Sequence, residues 1–386
     1  MKLRYLHIAF ALLPYLLVAQ VNVQEIGEMP AELAENSGLI FYNGRLISHN
    51  DSGNAPELFE IDTVSMQLSR TVTISNAVNI DWEDITQDES HIYIADIGNY
   101  SGTREDLAIY KISKQDFDGS GPVASKKISF AYEDQNNFDD NGMSNWDAEA
   151  LFVLNDQLII LTKQWLDGGT VAYSIPKEPG EHLAKRLDAY QINGLVTSAT
   201  YNPLSNELLI LGHSNILLPF VNKITGATSN SIFGGTLDNL SFDIGFAQTE
   251  GITHVSENRY FISSEFFQRE IPAITLNPLL YSLQLDNNVD GNDGTPNEEI
   301  VTNPENLEDS LMLYKSYGSN ILEYELTTEK SILAQAVFDT SGKMVHFKIG
   351  SEIENNVLDL IFFKSGVYYL TFYLGDKIIS SPFISN

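Results

Sequence analysis

Carboxylates in this sequence recur at the ends of apolar strands. Glu83, Glu149 and Glu250 each open such a strand, and Asp51, Asp96 and Glu265 stand 13 to 15 residues after the start of their own segment, where a second strand ends. Lys163 and His213 take that closing place in two further segments. Asp81 and Trp82 precede Glu83, Asp147 precedes Glu149, and Asn99 and Arg104 follow Asp96. Acids that share a spacing rule share a place in the fold, and carboxylates brought together raise one another's pKa unless a cation, a shared proton or a basic side chain intervenes. The chemistry open to them is coordination of a hard cation, general acid and base work, or capture of a cationic ligand. Arg104 and Lys163 are the basic compensators in the set. The competing reading is that the acids cap turns and bond to neighbouring backbone, as Asp and Asn routinely do.

The elements that position these residues repeat. Five segments, starting at Ser37, Glu83, Glu149, Ser198 and Glu250, each run through a short apolar strand, turn on Asn, Asp, Ser or Gly, and return through a second strand. The starts are 46, 66, 49 and 52 residues apart, and the intervals hold a third strand such as LFEID or LAIYKI and in places a fourth. Four antiparallel strands per 40 to 50 residues predict β-propeller blades, five of them or six if one lies in the longest interval. The first strands then line a central channel, and both columns of acids meet at one mouth. A β-sandwich would not explain a hairpin that returns with the same end residues. The segment VNVQEI is placed to supply an outer strand that closes the ring.

The expected organisation is a secretory signal over residues 1–19, a propeller over 20–285, an acidic linker over 286–308 and a small C-terminal β-sandwich over 309–386. Lys2 and Arg4 precede an apolar run that ends at Ala19 and is too short to span a bilayer. No later run is long and apolar enough to stop transfer, so no transmembrane segment is expected in the mature chain. The linker opens with Asp286, Asn288 and Asp290 followed by Gly291, the first half of a calcium loop, but position twelve is Asn297 where such a loop has a bidentate Glu.

In the last 75 or so residues the order is a strand, Asp339-x-x-Gly342-Lys343, a strand, a Leu-rich segment, Ser365-Gly366-Val367-Tyr368-Tyr369-Leu370, Gly375-Asp376-Lys377 and a final strand. This resembles the C-terminal sorting domain of type IX secretion substrates. The resemblance implies passage through the periplasm to the exterior or the outer cell surface, with the secretion machinery as a partner. More loosely, the segments around Asp51, Asp81 to Asp84, Asp96 to Asn99, Asp147 to Phe152 and Glu250 to Ile252 are similar to exported propeller proteins that carry such tails.

Composition excludes other classes. The chain has 386 residues, with 22 Lys and Arg against 52 Asp and Glu, a formal charge of −30. That surface repels phosphate backbones, so no nucleic-acid partner is expected. With no cysteine, disulfide scaffolds, thiolate zinc sites and cysteine nucleophiles are impossible. No G-x-S-x-G, H-E-x-x-H, P-loop or dinucleotide fingerprint is present. Two functions survive. The first is a binding propeller that takes a glycan, peptide or protein at its acidic mouth; the second is a calcium-dependent hydrolase of an ester, lactone or phosphoester.

Overall fold

The computed structural model describes residues 21–285, except 141, 241, 243 and 270–273, and residues 309–385, except 315–319, 329, 340–343, 351, 352, 354, 355 and 375–377. The proposed signal, the Asp286, Asn288 and Asp290 half-loop and the Gly342-Lys343 and Gly375-Asp376-Lys377 turns lie outside the described residues. The architecture is all-β; among the described residues the helical elements include the short helix Lys114–Phe117 and a 3-10 turn, Ala31–Leu33.

The described residues from 21 to 285 form successive four-stranded antiparallel units. Their innermost strands are Asn36–Tyr42, Trp82–Gln87, Ala148–Leu154, Leu195–Asn202 and Gln248–His254. Each contacts the innermost strand of the next unit, and the last contacts the first, so the units stand around one axis in the manner of a β-propeller. The 66-residue interval holds no additional unit among the described residues. It contains Ala108–Ser113, Lys126–Tyr132 and a long loop, the remainder of the second unit.

The ring closes through its ends. Val21–Glu28 pairs antiparallel with Leu279–Leu285 and is the outermost strand of the last unit, so chain positions about 260 residues apart share one sheet. Outer edges of the second and third units also meet, Gly180 to Ala184 running parallel to Ile128 to Tyr132. Each pairing satisfies an otherwise open row of backbone donors and acceptors.

Apolar side chains fill the seams between units. Trp82, Ile85, Ile92 and Ile94 pack with Ile47, Leu58 and Val72 of the unit before. Ala150, Phe152, Ile159 and Leu161 pack with Leu208 and Ile210 of the unit after. Second strands such as Gln157–Thr162 and Glu207–His213 therefore carry unbroken apolar runs, Leu158 to Leu161 and Leu208 to Leu211, because both of their faces are covered.

The C-terminal unit has two sheets. One holds Ser310–Tyr314, Ile321–Thr327 and Val357–Asp359; the other holds Met344–Ile349, Ile332–Asp339, Gly366–Leu374 and Ile378–Ser385. Leu322, Tyr324 and Leu358 from the first share one apolar cluster with Val337, Leu370, Phe372 and Phe383 from the second.

Candidate functional site: an acidic cup on the propeller axis

Every inner strand breaks its pairing register at the same level. The breaks fall between Ser37 and Ile40, Trp82 and Asp84, Ala148 and Ala150, Val196 and Ser198, and Thr249 and Gly251. A bulge leaves one residue unpaired and re-aims its side chain. In four strands that residue is Glu83, Glu149, Thr197 or Glu250. Alignment of the repeated segments placed Ser198 in this column; the bulge puts Thr197 there, and its hydroxyl donates to the Thr249 carbonyl at 2.6 Å. The Ser37 hydroxyl likewise donates to the Glu83 carbonyl.

One residue deeper, Asp84 forms the floor. Its carboxylate accepts the Ile85 and Leu151 N–H groups, each at 2.8 Å, and the Ser198 hydroxyl lies 3.2 Å from both of its oxygens. Ser198 Oγ in turn accepts the Ile252 N–H at 3.3 Å. Gly38, at φ 65°, lies so close that a Cβ there would sit 2.8 Å from Asp84 Oδ1. All five inner strands thus meet around one carboxylate, directly or through Ser198, and the channel is blind. Beyond the floor lies a cavity of about 20 Å³, lined by residues such as Leu39, Ile85 and Ile252.

The rim comes from the second strands. Main-chain bonds from Asp51, Ile97 and Lys163 to the carbonyls of Glu35, Asp81 and Asp147 place these three at one level, with His213 opposite Leu195 and Glu265 opposite Gln248. Asp96, expected in this column, sits one place earlier, opposite Trp82. It is buried, accepting the Asp81 N–H at 3.1 Å and the Arg104 guanidinium at 2.9 Å. Arg104 also donates to Asp106 at 3.0 Å and to the Gly98 carbonyl at 2.8 Å. It braces the loop behind the cup and leaves Lys163 as the cup's lysine.

Asp51, Asp147, Glu149, Glu250 and Glu265 act on the Lys163 ammonium group, and Asp81 and Glu83 stand beside them to make seven acids around one lysine. Lys163 Nζ lies 2.5 Å from Glu149 Oε2 and 4.6 Å from the Trp165 ring centre. Burial alone would lower the Lys163 pKa, but Glu149, Glu250 and Asp147 outweigh it and hold the ammonium charged. The acids are pushed the other way. Burial raises Asp51 to about 7 and Asp81 to about 6, with neighbouring carboxylates adding to both shifts. Glu83 lies well above the usual carboxylate range through burial and then through Glu149, Asp51 and Asp81. Burial also raises Glu149, against the opposing pull of Lys163, and raises Glu265 together with Glu250 and Asp51.

Two sets of three carboxylates each bring one oxygen per residue within 4.8 Å of the others: Asp51, Asp81 and Glu83, and Glu83, Asp147 and Glu149. Glu83 belongs to both, is 9% exposed, and its carboxylate takes no hydrogen bond from the described residues. Asp147 is held rigidly, one oxygen accepting the Asn99 N–H at 2.6 Å and the other the Trp165 indole N–H at 2.7 Å. Asn99 is itself buried, its Oδ1 accepting the Arg104 N–H at 2.9 Å. Gly98 abuts the pair, since a methyl group there would collide with Glu83 Oε1 and Asp81 Oδ2. Oxygen-only ligands at this spacing suit a hard divalent cation.

Trp82 does not reach this surface. It is fully buried, its ring edge-on to His49 at 5.6 Å and its indole N–H donated to the Val78 carbonyl at 3.1 Å, so it packs between units. The aromatic pair near the rim is Trp165 with Tyr100, ring centres 5.2 Å apart. Asp84, Gly98, Thr197 and His213 are the contributors that a search for matched acids passes over. His213 left a trace in the closing column, and Asp84 and Gly98 in the segments Asp81 to Asp84 and Asp96 to Asn99.

The raised pKa values set a stability profile. A carboxyl whose folded pKa exceeds its unfolded value favours the fold fully below the unfolded pKa, and that contribution is lost as pH rises through the folded pKa. For Asp51 and Asp81 the window runs from about pH 4 to about pH 7. With chelator and 0.5 M salt to screen surface repulsion, stability is expected to fall by on the order of 2 kcal/mol across it, roughly 5 °C in Tm. Thermal unfolding at half-unit pH steps checks this; a flat profile would show the cup acids to be unperturbed.

No protein-family model matches the sequence, and no curated protein matches it. Among solved structures, the PQQ-bound aldose sugar dehydrogenase of Streptomyces coelicolor is similar at 8% identity and TM-score 0.42, over 69% of this chain and 99% of that one. A chain of a mitotic checkpoint complex is similar at 10% identity and TM-score 0.36, over 74% of this chain and 98% of that one. U3-55K is similar at 11% identity and TM-score 0.34, over 65% and 68%.

Proposed function

We propose that the chain is an exported five-bladed propeller whose blind acidic cup binds a divalent cation of the calcium class and, with it, an extracellular glycan, peptide or protein ligand. One observation carries the reading: Glu83 is buried, takes no hydrogen bond from the described residues, and is shared by two carboxylate triads. A carboxylate in that setting stays protonated or holds a cation, and a cation of charge two relieves repulsion that Lys163 alone does not. Calcium would be held by Glu83 with Asp51 and Asp81 or with Asp147 and Glu149. The decisive experiment is calorimetric titration of chelator-treated protein with calcium at pH 7.5 and pH 5. Binding is expected at pH 7.5 and is weakened at least tenfold at pH 5, where protons compete for the same oxygens. No heat of binding at either pH would overturn the reading.

A second reading is the calcium-dependent hydrolase. Asp51 favours it, because a carboxyl pushed up to about 7 beside a cation is matched to general base work near neutrality. A panel of ester, lactone and phosphoester substrates, with and without chelator, separates the two. Turnover that chelator removes would make the cup an active site.

For the C-terminal unit we adopt the sorting role that its pattern of turns and strands suggests, with residues 286–308 as the linker. Deleting residues 309–386 is expected to leave folded propeller in the periplasm of a type IX secreting host. Secretion of that truncation at the level of the full chain would end the sorting proposal.

A further inference from the structure

The wall formed by His213 and Glu250 differs from the rest of the cup. Ser214 offers its carbonyl to His213 Nδ1 at 2.9 Å, and a carbonyl only accepts, so Nδ1 carries the proton. Nε2 points the other way, toward Glu250. It is buried, on a residue 4% exposed, and has no hydrogen-bond partner. Glu250 Oε1 faces it at 3.8 Å, beyond hydrogen-bond reach. Glu250 is equally buried at 5% exposure, and no donor among the described residues reaches its carboxylate.

The two groups face each other with no hydrogen bond between them, and a ligand group that bonds to both fits that place. The tautomer is not what marks the place. His49 makes the same bond, Nδ1 to the Asn50 carbonyl at 3.0 Å, and its Nε2 is also without a partner, yet that ring packs edge-on to Trp82 with no carboxylate opposite. At His213 the partner is an acid that also acts on Glu149, Asp51 and Glu265. A hydroxyl would fill the gap and leave that charge uncompensated. A cation with no N–H would compensate the charge and leave Nε2 unbonded. A group with both N–H donors and a positive charge satisfies the two together.

Resting on the reading of the cup as the binding surface, we propose that His213 and Glu250 form a subsite for a protonated amine or guanidinium group of the ligand, distinct from the divalent-cation position at Glu83. A cation at Glu83 and an N–H cation at Glu250 divide the seven acids between them, so the two bind together. The ligand class this favours is a peptide or protein presenting a lysine or arginine side chain.

The test uses the full chain and four probes at saturating calcium: n-butylammonium, methylguanidinium, tetramethylammonium and n-butanol. Calorimetry is expected to show binding of one or both N–H cations and none of the last two; the tighter of the first pair tells lysine-like from arginine-like recognition. Glu250→Gln and His213→Phe are each expected to weaken the bound probe at least tenfold and leave calcium affinity within threefold. Glu83→Gln is expected to do the reverse. In the wild type, the His213 imidazole C2 proton resonance should shift on saturation with the probe. The proposal is overturned if no N–H cation binds, if probe and calcium displace one another one for one, or if Glu250→Gln, melting as the wild type does, binds the probe unchanged. Probe binding that depends on Glu250 in a protein that takes no calcium would overturn the calcium reading alone and leave the subsite standing.

Discussion

Glu83→Gln is expected to weaken calcium binding at the cup by roughly 100-fold or more at pH 7.5. The substitution keeps the size of the side chain and removes the one charge common to both triads. Two unit charges 4 Å apart interact by about 4 kcal/mol at an effective dielectric of 20, and loss of part of that attraction suffices for two orders of magnitude. The fold should not suffer. No described donor bonds to the Glu83 carboxylate, and a neutral amide relieves the repulsion from Glu149, Asp51 and Asp81. The calcium-free variant is therefore expected to melt a few degrees above the calcium-free wild type at pH 7.5, with a flatter pH profile. Gly98→Ala gives a second route to the same loss. It keeps all seven acids but forces Glu83 and Asp81 apart, and about a tenfold weaker affinity is expected. Calorimetry and thermal melts on the two variants decide the matter. If Glu83→Gln unfolds the propeller while the wild type binds no cation, the acids are bonds between blades and nothing more.

Asp84→Ala is expected to cost about 3–5 kcal/mol of stability, because it strands several buried donors at once. Leu151 N–H, Ile85 N–H and the Ser198 hydroxyl lose their acceptor, and Ser198 loses the orientation in which it accepts from Ile252. Burial raises the Asp84 pKa well above the usual range, while those same donors pull it down. Asp84→Asn keeps one acceptor oxygen and turns an NH2 group toward backbone donors, so an intermediate loss of about 1–3 kcal/mol is expected. Chemical denaturation of the three proteins gives the comparison. An Asp84→Ala variant as stable as the wild type would mean that the five inner strands do not depend on this carboxylate. Calcium affinity separates floor from wall, since Asp84→Asn should leave it within a few-fold of the wild type.

The sequence alone determined the repeat, the all-β class and the closing role of VNVQEI. These follow from local alternation and turn residues, which act over a few positions and are written in order along the chain. It also identified Glu83, Glu149 and Glu250 as members of one column, because each is the bulged residue of its strand. What it could not reach was register. A bulge shifts its strand by one residue, and that shift exchanged Ser198 for Thr197 and moved Asp96 out of the rim and under it. Trp82 and Arg104 carry the right chemistry for a mouth, yet burial between units claims one and bonds to Asp96, Asp106 and the Gly98 carbonyl claim the other. The blind floor is a tertiary fact altogether. Asp84, Leu151, Ser198 and Ile252 lie 67, 47 and 54 residues apart along the chain, and only closure of the ring brings their polar groups to one point on the axis, where buried donors must find an acceptor.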